Sequence, residues 1–147
     1  MLICVFILIY TLMKYLKLFE SFTSIDEIVQ EAKDICLELN DVNIRTECQY
    51  NDPYVLNSET HPAFISIGME RTEFEDDDMG YGLAGYLEWH EIEEVVDRLI
   101  DYFESNGWNL SSIMMDGDNL INPKEWVETL RKKVSYTFSG LTINFSK

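Results

Sequence analysis

Asp116-Gly117-Asp118-Asn119 is the stretch of this chain with the most obvious metal-binding chemistry. A calcium loop of the EF-hand type starting at Asp116 needs an oxygen ligand at its fifth place, glycine at its sixth and glutamate at its twelfth. Those places hold Leu120, Ile121 and Val127, so the stretch reads as a plain turn. His61 and His90, the only two histidines, stand 29 residues apart with no cysteine at ligand spacing, which gives no support for zinc. His61 precedes a proline in a loop and His90 falls in the first turn of an acidic helix; both read as surface residues. There is no glycine-rich phosphate loop and no nucleophile elbow, and Ser111-Ser112 lie on a strand without an evident base. Carboxylates are too many to single out a catalytic pair, because solvated surfaces bring such pairs together freely. The expectation is a non-enzyme with no metal and no cofactor. An enzyme with an unrecognised carboxylate site is the alternative.

One group of carboxylates has a pattern. Glu93, Asp97, Asp101 and Glu104 follow one another at helical spacing, and the run Glu75, Asp76, Asp77 and Asp78 belongs to a charged loop that could lie nearby. A long anionic strip can imitate a phosphate backbone and occupy the basic groove of a nucleic-acid-binding protein. The plainer account is a solvated helix face, since exposed faces are normally charged.

Net charge points the same way. With 27 acidic side chains against 11 basic ones, the chain carries −16, which repels nucleic acid and anionic membrane surfaces alike. Its 147 residues suffice for one genuine core. Cys4, Cys36 and Cys48 are odd in number and show no paired spacing, as expected of free thiols in a reducing compartment.

The element that must carry the strip is Leu87 to Trp108. Trp89, Ile92, Val95, Val96, Leu99 and Phe103 recur at three- and four-residue steps, and Gly107 supplies the left-handed stop. Before it, Ser24-Ile25-Asp26-Glu27 is a capping box. A helix follows through Ile28, Val29, Ala32, Ile35, Cys36 and Leu39 until Asn40-Asp41 stops it. Val42 to Tyr50 and Ala63 to Met69 alternate as strands, with Asn51 to Pro62 as a polar loop between them. Glu70 to Asp78 should be an exposed loop or hairpin end, and Tyr86-Leu87 a short strand. Trp108 to Met115 reads as a strand. Asn122-Pro123-Lys124-Glu125 opens a helix whose apolar side is Trp126, Val127 and Leu130. Val134 to Phe138 and Leu141 to Phe145 should form a terminal hairpin about Ser139-Gly140. The fold class is therefore α+β, a mainly antiparallel sheet with about three helices on one face, in a single domain over residues 23–147. Leu37 to Ile44 and Phe103 to Leu110 look alike, as helix-to-strand connections tend to.

Residues 1–22 form a separate apolar to amphipathic leader. Its first twelve residues lack a signal peptide's preceding positive charge and cleavage site. They reach the length of a membrane span only by including Lys14 and Lys17. Met13-Lys14-Tyr15-Leu16-Lys17-Leu18-Phe19-Glu20-Ser21-Phe22 resembles the opening M-K-x-L-K-L-F-E-x-F of many small uncharacterised proteins of tailed bacteriophages. Asp34 to Asp41 and Asp97 to Tyr102 are similar to members of the same group. The resemblance favours Met13 as the start and implies an accessory protein whose partner is a host or phage protein. In T-even-type phages, leaders of this length direct internal proteins into the prohead and are cleaved after Leu or Ile, any residue, then Glu. Leu18, Phe19 and Glu20 match that pattern, as do Ile25-Asp26-Glu27 and Ile92-Glu93-Glu94. The leading expectation is a small acidic phage accessory protein that binds another protein without catalysis, such as a basic nucleic-acid-binding protein, in the host cytoplasm. The alternatives are a virion-internal protein with a cleaved leader and a membrane-tethered protein held by residues 1–19.

Overall fold

The computed structural model describes residues 24–72, 74–75, 83–120, 122–132 and 136–147. Helix α1 spans Ile25–Cys36 and begins at the expected capping box: the Ser24 hydroxyl accepts the Glu27 N–H, and the Glu27 carboxylate accepts the Ser24 N–H. Ile28, Ala32 and Cys36 are its buried face. Asn40-Asp41 does not stop the chain there. It tightens into a 3-10 helix over Leu37–Val42 and leaves through Asn43, which is left-handed at φ 59°. Val42 is therefore exposed rather than the first inward residue of a strand.

Strand β1 is Ile44–Asn51 and β4 is Phe64–Arg71, paired antiparallel so that Cys48 faces Ile67. The segment expected as a loop between them holds a hairpin, β2 (Tyr54–Leu56) with β3 (Glu59–His61). Its tip residues Asn57 and Ser58 are both left-handed, at φ 51° and 65°, which matches the twist of a two-residue hairpin. Strand β5 (Phe74–Glu75) pairs with β6 (Leu83–Ala84), so the charged stretch does run into a hairpin.

Strand β7 (Leu87–Glu88) leads into α2, Trp89–Ser105. Its buried residues are the six that the spacing singled out, and Leu87, also buried, lies in the strand before it. Gly107 follows at φ 78°, a region without penalty only for glycine. Strand β8 (Asn109–Met115) turns through left-handed Asp116 and Gly117 into β9 (Asp118–Leu120), a short strand where only a turn was expected. Helix α3, Pro123–Arg131, starts at Asn122 as expected, but not by the expected cap. Asn122 is itself left-handed at φ 57°, and its amide donates to the Glu125 carboxylate at 3.4 Å.

The end of the chain corrects the sequence reading. Strand β10 (Thr137–Phe138) and β11 (Gly140–Ser146) do not pair with each other. Strand β10 pairs with β7, whereas β11 inserts between β4 and β8. Strand β10 is two residues long, so a hairpin with it would leave most of β11 unpaired, whereas between β4 and β8 both edges of β11 are hydrogen-bonded.

The main sheet thus has the order β1-β4-β11-β8-β9, antiparallel throughout, in an α+β fold with the helices packed on one face. Ile65, Ile67 and Met69 of β4 and Leu141, Ile143 and Phe145 of β11 point toward the helices and are buried. Phe145 stacks on Phe103 of α2 with centroids 4.1 Å apart, which ties the central strand to the central helix. Each such side chain contributes about 1.5–3 kcal/mol by leaving water. The look-alike connections differ in geometry: the left-handed residue is Asn43 in one and Gly107 in the other, which are not equivalent positions.

Candidate functional site

Helix α2 buries one face, so its carboxylates are held on the remaining surface. Glu93 and Asp97 are half-buried, while Glu94, Asp101 and Glu104 are exposed. Helix α3 lies beside it and supplies cations. The Arg131 guanidinium contacts both Asp97 and Glu128, and Lys124 Nζ lies 2.6 Å from Glu104 Oε1. The hydrogen bond to Asp97 pushes the Arg131 pKa up; slight burial opposes it, and the charges of Asp97, Glu128 and Glu93 reinforce it. The strip therefore divides. Glu93, Asp97 and Glu104 are engaged with α3, whereas Asp101 and Glu94 have no ion pair among the described residues.

A second acidic surface adjoins it on α1. Arg98 of α2 pairs with Glu38 just past the end of α1. Burial raises the pKa of Tyr102, and the charges of Glu31 and Glu27 raise it further. The two helices pack together, and Arg98 lies at the C-terminal end of α1 while Tyr102, one turn further along α2, lies nearer Glu31 and Glu27, so they run antiparallel. Asp26, Glu27, Glu31 and Asp34 are all exposed on α1, with Lys33 the one cation of that helix. The signal for this surface was in the sequence, as carboxylates between the apolar positions of α1, but only the longer helix was read that way.

Glu75 lies in β5, and Asp76, Asp77 and Asp78 lie outside the described residues, as do Leu18, Phe19 and Glu20 of the leader. Their proximity to α2 is thus not part of the geometry.

Several other polar groups are held by neighbours within the fold. Asp116 Oδ1 accepts both the N–H and the hydroxyl of Ser139, each at 2.6 Å, pinning the point where β10 gives way to β11. Those bonds hold its carboxyl below the usual range against a small effect of burial. Ser111 donates to the Asn144 carbonyl at 3.0 Å, and Ser112 accepts from the Asn144 amide at 2.8 Å, beside a bulge between β8 and β11. His61 is half-buried in β3, where it stacks on Tyr54 at 4.6 Å. His90 is exposed, with Nδ1 3.2 Å from a Glu88 oxygen.

Arg71 was read as part of a charged loop and proves to be a hub. From the end of β4 its guanidinium donates to the Tyr86 carbonyl at 2.8 Å and the Val42 carbonyl at 3.0 Å, and it pairs with Glu91 of α2. Burial pushes the Glu91 carboxyl up, but the Arg71 hydrogen bond, the Glu88 N–H and the charges of Arg71 and His90 outweigh it and hold the pKa below its ordinary value. Cys36 and Cys48 are free thiols, the first buried and the second half-buried. Burial pushes Cys36 up to about 12, helped by the Cys48 charge, and pushes Cys48 up to about 11.

Among the described residues no group of three or more His, Cys, Asp or Glu could hold a metal ion, and no helix is long and apolar enough to cross a membrane. No protein-family model matches the chain, and no significant match was found among curated proteins or among solved structures.

Proposed function

We propose that this chain is a small acidic accessory protein, of the phage type its leader resembles, that acts by binding another protein without catalysis. Its partner is a basic protein of the host or the phage, of the kind that binds nucleic acid. The observation that carries the reading is the surface shared by α1 and the crest of α2, where Glu31, Asp34, Glu94 and Asp101 are exposed without an ion pair among the described residues. Fixed carboxylates on two rigid helices match a basic groove better than a mobile acidic tail would, because they lose less freedom on binding. The cations of α3 shift this contact away from Asp97 and Glu104 toward α1.

The test is recovery of partners from host lysate by the full chain and by two charge-matched variants. One carries Glu31→Lys, Glu94→Lys and Asp101→Lys; the other carries Asp52→Lys, Glu59→Lys and Asp118→Lys, exposed positions away from α1 and α2. Loss of a basic partner from the first variant alone is expected. Equal recovery by both variants, or equal loss, would remove the helix surface from the reading.

A further inference from the structure

Strand β1 is a margin of the main sheet: among the described residues its neighbour is β4, and no strand lies on its other side. The opposite margin, β9, is three residues long, whereas β1 offers eight. Unpaired N–H and C=O groups along a strand of that length are a template for another strand. The chemistry of β1 differs from the rest of this anionic chain. Ile44–Asn51 carries one cation, Arg45, and one anion, Glu47, both directed to the face away from the helices. Within its own sheet Arg45 faces Glu70 and pairs with it at 2.8 Å. Glu47 faces Gly68, above which there is open space, so β4 gives it no cation. The Gln49 amide, at 3.0 Å, is its one hydrogen-bond donor among the described residues. A groove runs along the same margin, lined by Lys33, Leu37 and Asn40 and by Thr46 to Gln49 of β1, and Leu37 is 58% exposed.

We propose that a second copy of this chain covers this margin, β1 pairing antiparallel with its counterpart about a twofold axis at Thr46. Residues opposite each other in an antiparallel pair share a face, so the axis can fall on only a few residues near the middle of the strand. An axis at Glu47 sets that carboxylate against itself, a like-charge contact. An axis at Cys48 sets Arg45 against Asn51 and Glu47 against Gln49, which leaves both charges unmatched. An axis at Thr46 sets Arg45 against Glu47 of the other copy, and by symmetry does so twice. It also sets Thr46 against Thr46 and Ile44 against Cys48 on the helix side, so the paired stretch is Ile44 to Cys48, bounded by the left-handed Asn43 of each copy. Each Glu47 gains the cation its own sheet lacks, and Arg45 bridges Glu70 on one side and Glu47 on the other. Such an interface is isologous and closes on itself. It is distinct from the acidic helix surface, so either can hold without the other.

The experiment follows the mass of the full chain by sedimentation equilibrium at physiological salt. The wild-type chain is expected to dimerise. Glu47→Arg opposes an arginine to Arg45 and Arg45→Glu opposes a glutamate to Glu47, so each variant alone should self-associate at least about tenfold more weakly. Mixed in equal amounts they are complementary and should recover wild-type association as a heterodimer, which also shows that both are folded. A trap at the axis complements this: the Cys36 thiol hydrogen-bonds the Thr46 side chain, so Thr46→Cys is combined with Cys4→Ser, Cys36→Ser and Cys48→Ser, and should give a disulfide-linked dimer on mild oxidation. The proposal is overturned if the wild-type chain stays monomeric, as it would were the margin covered by residues 1–22 or by another protein. It is equally overturned if the mixture associates no better than its components, or if both variants behave as wild type.

Discussion

Arg71 shows how much one side chain can hold in this molecule. It joins the end of β4 to the 3-10 helix, to the approach to β7 and to the first turn of α2. Arg71→Ala leaves two carbonyls and a partly buried carboxylate without their donor, and should cost about 3 kcal/mol by chemical denaturation. Glu91 and Asp116 make the acid limb of stability specific. Both have folded pKa values below their ordinary ones, so the stability they contribute is present above the unfolded carboxylate range and is lost as pH falls through the folded values. Glu91→Gln should flatten that limb, as measured by melting temperature against pH. The thiols have the opposite sign. With Cys36 raised from 9.0 to about 12, the unfolded chain ionises first, so stability falls as pH climbs above 9. At pH 8 both described cysteines should react with a thiol reagent far more slowly in the native chain than in denaturant. None of these partnerships was visible beforehand. Arg71 read as one charge among many, because its partners are 15, 20 and 29 residues away in the chain and two of them are backbone oxygens.

Elements were easier to read, and the reason is local. The apolar face of α2, the capping box of α1 and the glycine after α2 each depend on residues within one or two turns of each other. The same locality predicts magnitudes. Gly107→Ala must place a Cβ at φ 78° and should lower stability by about 1 kcal/mol. Leu99→Ala empties a fully buried position and should lower it by about 2–5 kcal/mol in the same denaturation experiment. Val55→Ser, on the β2–β3 hairpin at 69% exposure, should change it by under about 0.5 kcal/mol. Pairing between elements was where reading failed. Strands β10 and β11 have adjacent sequences with a turn-like Ser139-Gly140 between them, yet their partners β7, β4 and β8 lie far back in the chain, where no local pattern marks them. The β2–β3 hairpin escaped for another reason: its turn is built from Asn57-Ser58, without the glycine that usually announces such a turn.

For the molecule as a whole, charge was legible and its distribution was not. The excess of carboxylates is plain in the composition, but which are already engaged depends on α3 lying beside α2 and on α1 running antiparallel to it. The order of the sheet has a consequence in time. Strand β11 comes after both of its neighbours, β4 and β8, in the chain yet lies at the centre, and its residue Gly140 meets Glu70, made 70 positions earlier. Without it the sheet falls into two separate strand pairs, β1 with β4 and β8 with β9, each with an open inner margin. The sheet therefore closes only once β11 has been made, and a chain halted before Gly140 is a target for proteases and aggregation.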